Sequence, residues 1–177
     1  MALNPGDAAP KLKLQDIDGH AFTTDDYRQT VRIFSFADRN SSGRLMEWLT
    51  DANIEIKKTA PTAKLTYINF ADVSLVPRMM HKVVRPILRT INSRSLKQLQ
   101  HVYDEAGITT GREDIVFHLI PDWKGEFLKQ FAIRDASKYH LWIEHGDKIK
   151  TTLHEPTDAI AERFIDCVCN LVETVPE

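Results

Sequence analysis

The chain has 177 residues, 42% of them hydrophobic and 27% charged, with a formal net charge of −2 at pH 7. This composition excludes a disordered or low-complexity chain and fits one domain, spanning 1–177, with a substantial core. The opening Met1 to Asp7 carries no basic stretch leading into an apolar run, and no run of about 18 apolar residues occurs anywhere. The sequence therefore implies neither export nor membrane spanning and points to the cytoplasm.

Taken in chain order, Lys11 to Tyr27 alternates apolar and polar residues around Asp18-Gly19, the pattern of a β-hairpin. Val31 to Phe36 is a β-rich run. Ser41 or Ser42 then suits the cap of a helix whose inward positions are Leu45, Trp48, Leu49, Ala52 and Ile56. Lys64 to Val73 reads as a second core strand, and a long insertion from about Pro77 to Gly107 reads as helical in two pieces. Asp114 to Ile120 follows as a strand, Pro121 to Ile133 as a turn and short helix, and Lys138 to Leu153 as two strands joined at His145-Gly146. A last helix starts near Pro156 and Thr157. Strand, helix, strand, helix, hairpin, helix predicts an α/β sandwich on a mixed sheet.

The only cysteines, Cys167 and Cys169, are two positions apart in that last helix. Residues at i and i+2 point about 200° apart on a helix, so these sulfurs cannot bond to each other there. Ile160, Phe164, Cys167, Val168, Leu171, Val172 and Val175 form one apolar stripe, in which Cys167 serves as a small hydrophobe rather than a redox or metal group.

Several short motifs carry a family resemblance. Pro5-Gly6-x-x-Ala9-Pro10 precedes a hairpin with an Asp16-x-x-Gly19 turn, and Asp122-x-x-Gly125 precedes a short helix and a strand that runs to Gly146 before an edge strand. Together they resemble the peroxiredoxin and redoxin branch of the thioredoxin-like superfamily over almost the whole chain. The resemblance implies a thioredoxin-like three-layer sandwich with a central mixed sheet, an N-terminal β-hairpin and a helical insertion at about 77–107.

In that family a thiolate sits in the turn after the first central strand or in the next helix's first turn, where unpaired N–H groups lower its pKa. Here no residue from Asp38 to Met46 is a cysteine. A second family feature, a cis-proline or a thiolate-stabilising arginine, falls nine positions before Gly146, at Ser137, which is neither. The resemblance thus implies the fold without its redox site, and a binding or adaptor module. Two alternatives stay open. One is a divergent thiol oxidoreductase or peroxidase-like enzyme using a partner's thiol, a cofactor or a late cysteine. The other is an anion or small-ligand site at the vacant helix start, formed by Arg39, Asn40, Ser41, Ser42, Gly43, Arg44 and Ser137, where the serines otherwise read as caps and the arginines as solvated.

No Gly-x-Ser-x-Gly, Gly-rich phosphate loop or His-Glu-x-x-His helix is present, so the sequence implies no cofactor and no metal. His118 and His140 fall on strands expected to neighbour each other, yet no carboxylate or thiol spacing completes a set, and both read as structural histidines.

The insertion carries the strongest charge pattern. Val73 to Tyr103 contains Arg78, Lys82, Arg85, Arg89, Arg94 and Lys97 and no Asp or Glu, leaving 17 basic against 25 acidic residues elsewhere. On a helix Arg78, Lys82, Arg85 and Arg89 share one face, with Met80, Val83, Val84, Ile87, Leu88 and Ile91 on the other. The expectation is an apolar face laid on the domain beneath a cationic ridge, kinked or divided at Pro86. Such a ridge suits an acidic protein or an anionic membrane surface, and nucleic acid less, since Tyr103 is its only aromatic residue. A solvated helix face is the alternative.

Overall fold

The computed structural model describes residues 3–109, 111, 113–135, 138, 140–154 and 158–173. Ser137, Pro156, Thr157, Val175 and the side chain of Ile160 lie outside the described residues.

The expected hairpin forms from β1 (Lys13–Gln15) and β2 (Ala21–Thr23), antiparallel with Leu14 opposite Phe22. Five further strands make the main sheet: β3 (Val31–Ala37), β4 (Leu65–Asp72), β5 (Ile115–Asp122), β6 (His140–His145) and β7 (Lys148–His154). They lie in the order β5-β4-β3-β6-β7, with β3, β4 and β5 parallel and β6 and β7 antiparallel. The helices are α1 (Ser42–Thr59), α2 (His81–Glu105), α3 (Glu126–Gln130) and α4 (Asp158–Glu173).

Period-two alternation along the central strands separates two cores. Ile33, Leu65, Tyr67 and Ile143 face α1 and α4, where they bury Leu45, Leu49, Ile56, Phe164 and Val168. Phe34, Phe36, Ile68, Phe70 and Trp142 face the other way, under the hairpin and α3. Helices, sheet, and hairpin with α3 therefore form three layers. Phe36 and Phe70 stack at 4.4 Å and Phe34 and Trp142 at 4.7 Å, so aromatic pairs fill the hairpin-side core.

Both Asp-x-x-Gly turns work in the same way. Asp16 Oδ1 accepts the N–H groups of Asp18 (3.0 Å) and His20 (2.9 Å) while Gly19 takes φ +94. The buried Asp122 accepts the N–H of Glu126 (2.9 Å), Phe127 (3.0 Å) and Leu128 (3.1 Å), starting α3, with Gly125 at φ +64. The Pro5 to Pro10 entry runs along β7, where Gly6 donates to Ile149 O at 2.9 Å and Ala9 to Asp147 O at 2.9 Å, covering that sheet edge.

One expectation is corrected. The insertion is a single 25-residue helix, α2, entered through a 3₁₀ turn at Arg78–Met80, and it runs through Pro86 without a break. The proline sits in the second turn, so its missing N–H leaves only the carbonyl of the exposed Lys82 without its helical partner. The helix is held further along, where Leu99 and Tyr103 bury against Ile108 and Ile54 of α1. No described helix is long and apolar enough to cross a membrane.

Candidate functional site

β3 hands the chain to α1 through a turn built on a carboxylate. Asp38 Oδ1 accepts the main-chain N–H of Asn40 at 2.8 Å and of Ser41 at 2.9 Å, and the Ser41 hydroxyl at 3.0 Å. Ser41 Oγ accepts the N–H of Asp38 at 3.0 Å, closing the turn. The capping expected of Ser41 or Ser42 holds in position and is corrected in its bonding. Ser41 stands at the N-cap with no side-chain cap bond, and Ser42 Oγ reaches back to Arg39 O at 3.4 Å. Asp38 does the work because its short side chain can take amides two and three residues on.

Arg39, Asn40, Ser42, Gly43 and Arg44 are exposed and Ser41 is buried. The turn thus brings together six of the candidate ligand-site residues, but it also seats Asp38's carboxylate on the amides of Asn40 and Ser41, directly ahead of the first-turn amides that an anion would use. An added anion at this helix start would meet that carboxylate.

Behind the turn, α1 and α2 stand apart over the carboxyl ends of β3, β4 and β5 and leave a cavity of about 620 Å³. This is where open α/β sheets take ligands. Its floor is the pair Ser35 and Asn69, joined by a hydrogen bond from Ser35 Oγ to Asn69 Oδ1 at 2.6 Å, with the small side chains of Ala37 and Ala71 beside it. Ser42 and Gly43 form part of the lining, and Ile91 of α2 another part.

The two cysteines lie on α4 rather than in this turn, and form no disulfide. Cys167 packs half-buried against the core, as the stripe implied, and Cys169, outside the stripe, is buried in it. Burial pushes the Cys167 thiol up.

α2 sits differently from the sequence expectation. Its apolar side is only partly laid on the domain. Val84 and Leu88 are half-buried, whereas Val83, Ile87 and Ile91 on the helix, and Leu75, Met79 and Met80 ahead of it, are 42–94% exposed. The anchors that set this rotation are His81, stacked on Trp123 at 4.2 Å, and Arg89, which donates from Nε to Ile17 O at 2.9 Å and lies 3.4 Å from Asp18. The expected ridge is therefore divided: Arg78 and Lys82 are exposed, Arg85 is half-buried, and Arg89 is tied to the hairpin turn.

His118 and His140 are not neighbours, because β4 and β3 lie between β5 and β6. His118 is buried, with Nδ1 3.0 Å from Asp16 Oδ2 and Nε2 2.8 Å from Tyr27 Oη. His140 instead meets His154, Nδ1 to Nδ1 at 2.8 Å. Across the hairpin-side core, the fully buried Glu144 takes a hydrogen bond from Trp142 Nε1 at 2.9 Å and lies 3.4 Å from Arg32. Burial pushes its carboxyl up to about 7.

Sequence reasoning missed the Asp38 turn, the cavity and the Asp16–His118–Tyr27 chain. An Asp three residues before Ser41 was the available signal for the first. The cavity, set by how far α2 stands from α1, left none.

No family model matches the sequence, and no curated protein matches it. Among solved structures the chain is similar to a candidate thiol:disulfide interchange protein DsbE from Chlorobium tepidum, with TM-score 0.59 and 14% identity over 97% of this chain and 99% of that one. It is similar also to a thiol:disulfide interchange protein from Bacteroides sp., with TM-score 0.53 and 14% identity over 100% and 95%. A SCO1/SenC family lipoprotein from Bacillus anthracis gives TM-score 0.56 and 10% identity over 97% and 99%. At such identities the likeness is one of architecture, and these three are not described as peroxiredoxins. Parallel β3 and β4 around α1, the antiparallel β6 and β7, and the closing α4 give the chain a thioredoxin-like fold.

Proposed function

We propose that the chain is a thioredoxin-like binding module without thiol chemistry of its own, and that α2 docks an acidic, amphipathic segment of a partner protein. The exposed apolar stripe from Leu75 to Ile91 carries the reading. Contiguous large hydrophobic side chains on a folded surface mark interaction sites. Arg78, Lys82, Arg94 and Lys97 are exposed on the same helix and its entry turn, and no carboxylate occurs from Val73 to Tyr103, so the complementary surface is acidic. Ile91 belongs both to the stripe and to the cavity wall, which offers an anchoring side chain a pocket that a lipid surface would leave empty.

The thiol-oxidoreductase reading draws on the interchange proteins that share the architecture. Against it stand the turn at Asp38 to Met46, which has no cysteine, and two thiols withdrawn into α4. The test is fluorescence anisotropy with a labelled helical peptide bearing Leu at core spacing and Glu elsewhere, its Lys counterpart, and anionic vesicles. The wild type should bind the acidic peptide, more weakly at high salt, and the double variant Val83→Glu/Ile87→Glu should lose it with its melting temperature unchanged. Equal binding by the variant, or binding to vesicles alone, would overturn the reading.

A further inference from the structure

The turn between β1 and β2 brings three metal-ligating side chains together with a strand from the far end of the chain. We propose that Asp16, His20 and His118 form a site for a divalent transition-metal ion of zinc type. Their ligand atoms, one from each residue, all lie within 4.8 Å of one another. Asp16 Oδ2 is 3.0 Å from His118 Nδ1 and 4.0 Å from His20 Nδ1. A tetrahedral zinc ion with arms of about 2.0–2.2 Å places its ligands roughly 3.4 Å apart. The observed separations straddle that spacing, and the exposed His20 ring is the one free to close the difference.

Each buried ligand is oriented from behind. Asp16 spends Oδ1 on the amides of Asp18 and His20, which leaves Oδ2 turned toward the two imidazoles. His118 is held by Tyr27 through Nε2 and by Phe22, stacked on it at 4.0 Å. In the metal-free protein His118 Nδ1–H donates to Asp16 Oδ2 and Nε2 accepts from the Tyr27 hydroxyl; a metal on Nδ1 displaces that proton, the neutral ring then carries its proton on Nε2, and Nε2 donates to Tyr27 Oη. Such outer hydrogen bonds are what fix ligand orientation in metal sites. His20 lies over His118 with the rings 5.8 Å apart and 19° from parallel, and its exposed side leaves the fourth position to solvent or to a ligand from a partner.

Two imidazoles and one carboxylate suit zinc and its neighbours rather than calcium or magnesium, which take oxygen ligands. His20 falls four residues after Asp16 because the Asp-x-x-Gly turn folds the chain back at Gly19. His118 arrives from β5 because the hairpin turn seats on that strand, Ile17 donating to Leu119 O at 2.8 Å.

Zinc titration of chelator-stripped protein by calorimetry tests the site, with Co²⁺ absorption as a reporter of coordination geometry. The wild type should bind one equivalent of Zn²⁺ and gain melting temperature, and Co²⁺ should show tetrahedral bands. His20→Ala, at a side chain 63% exposed, keeps the fold and should weaken binding by at least about tenfold, as should Asp16→Asn. His154→Ala removes the other close histidine pair and should leave binding intact. Absence of saturable one-to-one binding, an unchanged affinity in His20→Ala, or loss of binding in His154→Ala would each overturn the proposal.

Discussion

Arg89 of α2 donates from Nε to the main-chain oxygen of Ile17, 2.9 Å away, in the turn between β1 and β2. The insertion helix and the hairpin are thereby joined by a side chain that the charge pattern placed on a free ridge. Arg89→Ala should cost about 1 kcal/mol or less of global stability, because the Arg89–Asp18 pair is largely exposed. Its effect should be local: faster amide hydrogen exchange from His81 to Asn92, with the half of α2 that carries Leu99 and Tyr103 unchanged. Exchange mass spectrometry separates the two regions, and uniform acceleration would mean that Arg89 supports the whole fold.

The α1 entry makes the second prediction. Asp38→Ala removes the acceptor of two amides and the Ser41 hydroxyl and should destabilise by about 1–2 kcal/mol in denaturant unfolding. Ser42→Ala, which loses a single bond at 3.4 Å, should fall within about 0.5 kcal/mol of the wild type.

Glu144 sets a pH dependence. Burial raises its carboxyl from 4.5 to about 7, opposed by the Arg32 charge and the Trp142 hydrogen bond. The folded protein therefore keeps a proton that the unfolded chain releases. Its contribution is fully present below about pH 4.5 and is lost as pH rises through about 7, on the order of 3 kcal/mol across that window. Glu144→Gln, which keeps the shape and stays neutral, should flatten the stability profile between those limits; a slope of undiminished size would assign it to other groups.

Two glycines predict opposite signs. Gly111 has φ +69, and a Cβ there would collide with the Pro61 carbonyl oxygen and lie 2.8 Å from Lys57 Nζ. Gly111→Ala should cost about 2 kcal/mol or more. Gly43 lies in α1 with nothing within 4 Å of an added Cβ, so Gly43→Ala should gain about 0.5–1 kcal/mol. Thermal unfolding of both variants checks the pair.

What the sequence made legible was set by local periodicity. Alternation around Asp18-Gly19, the apolar run at Val31 and the inward positions Leu45, Leu49, Ala52 and Ile56 each rest on near neighbours, and each element formed where expected. Pro86 misled, since proline disfavours helix interiors but near an exposed start it costs one hydrogen bond that tertiary packing at Leu99 and Tyr103 outweighs. The rotation of α2 was not legible because His81–Trp123 and Arg89–Ile17 are contacts between distant segments. For the same reason Asp16 and His118, 102 positions apart, gave no spacing signal.

Docking through α2 is tested most directly by a photocrosslinker installed in place of Ile87 in the cells that make the protein, with the same group in place of the exposed Lys58 on α1 as reference. Docking of an acidic partner gives discrete protein adducts at 87 and not at 58, each joined through a Glu- or Asp-rich amphipathic segment. Adducts to lipid alone, equal labelling at both positions, or no adduct at 87 would contradict it.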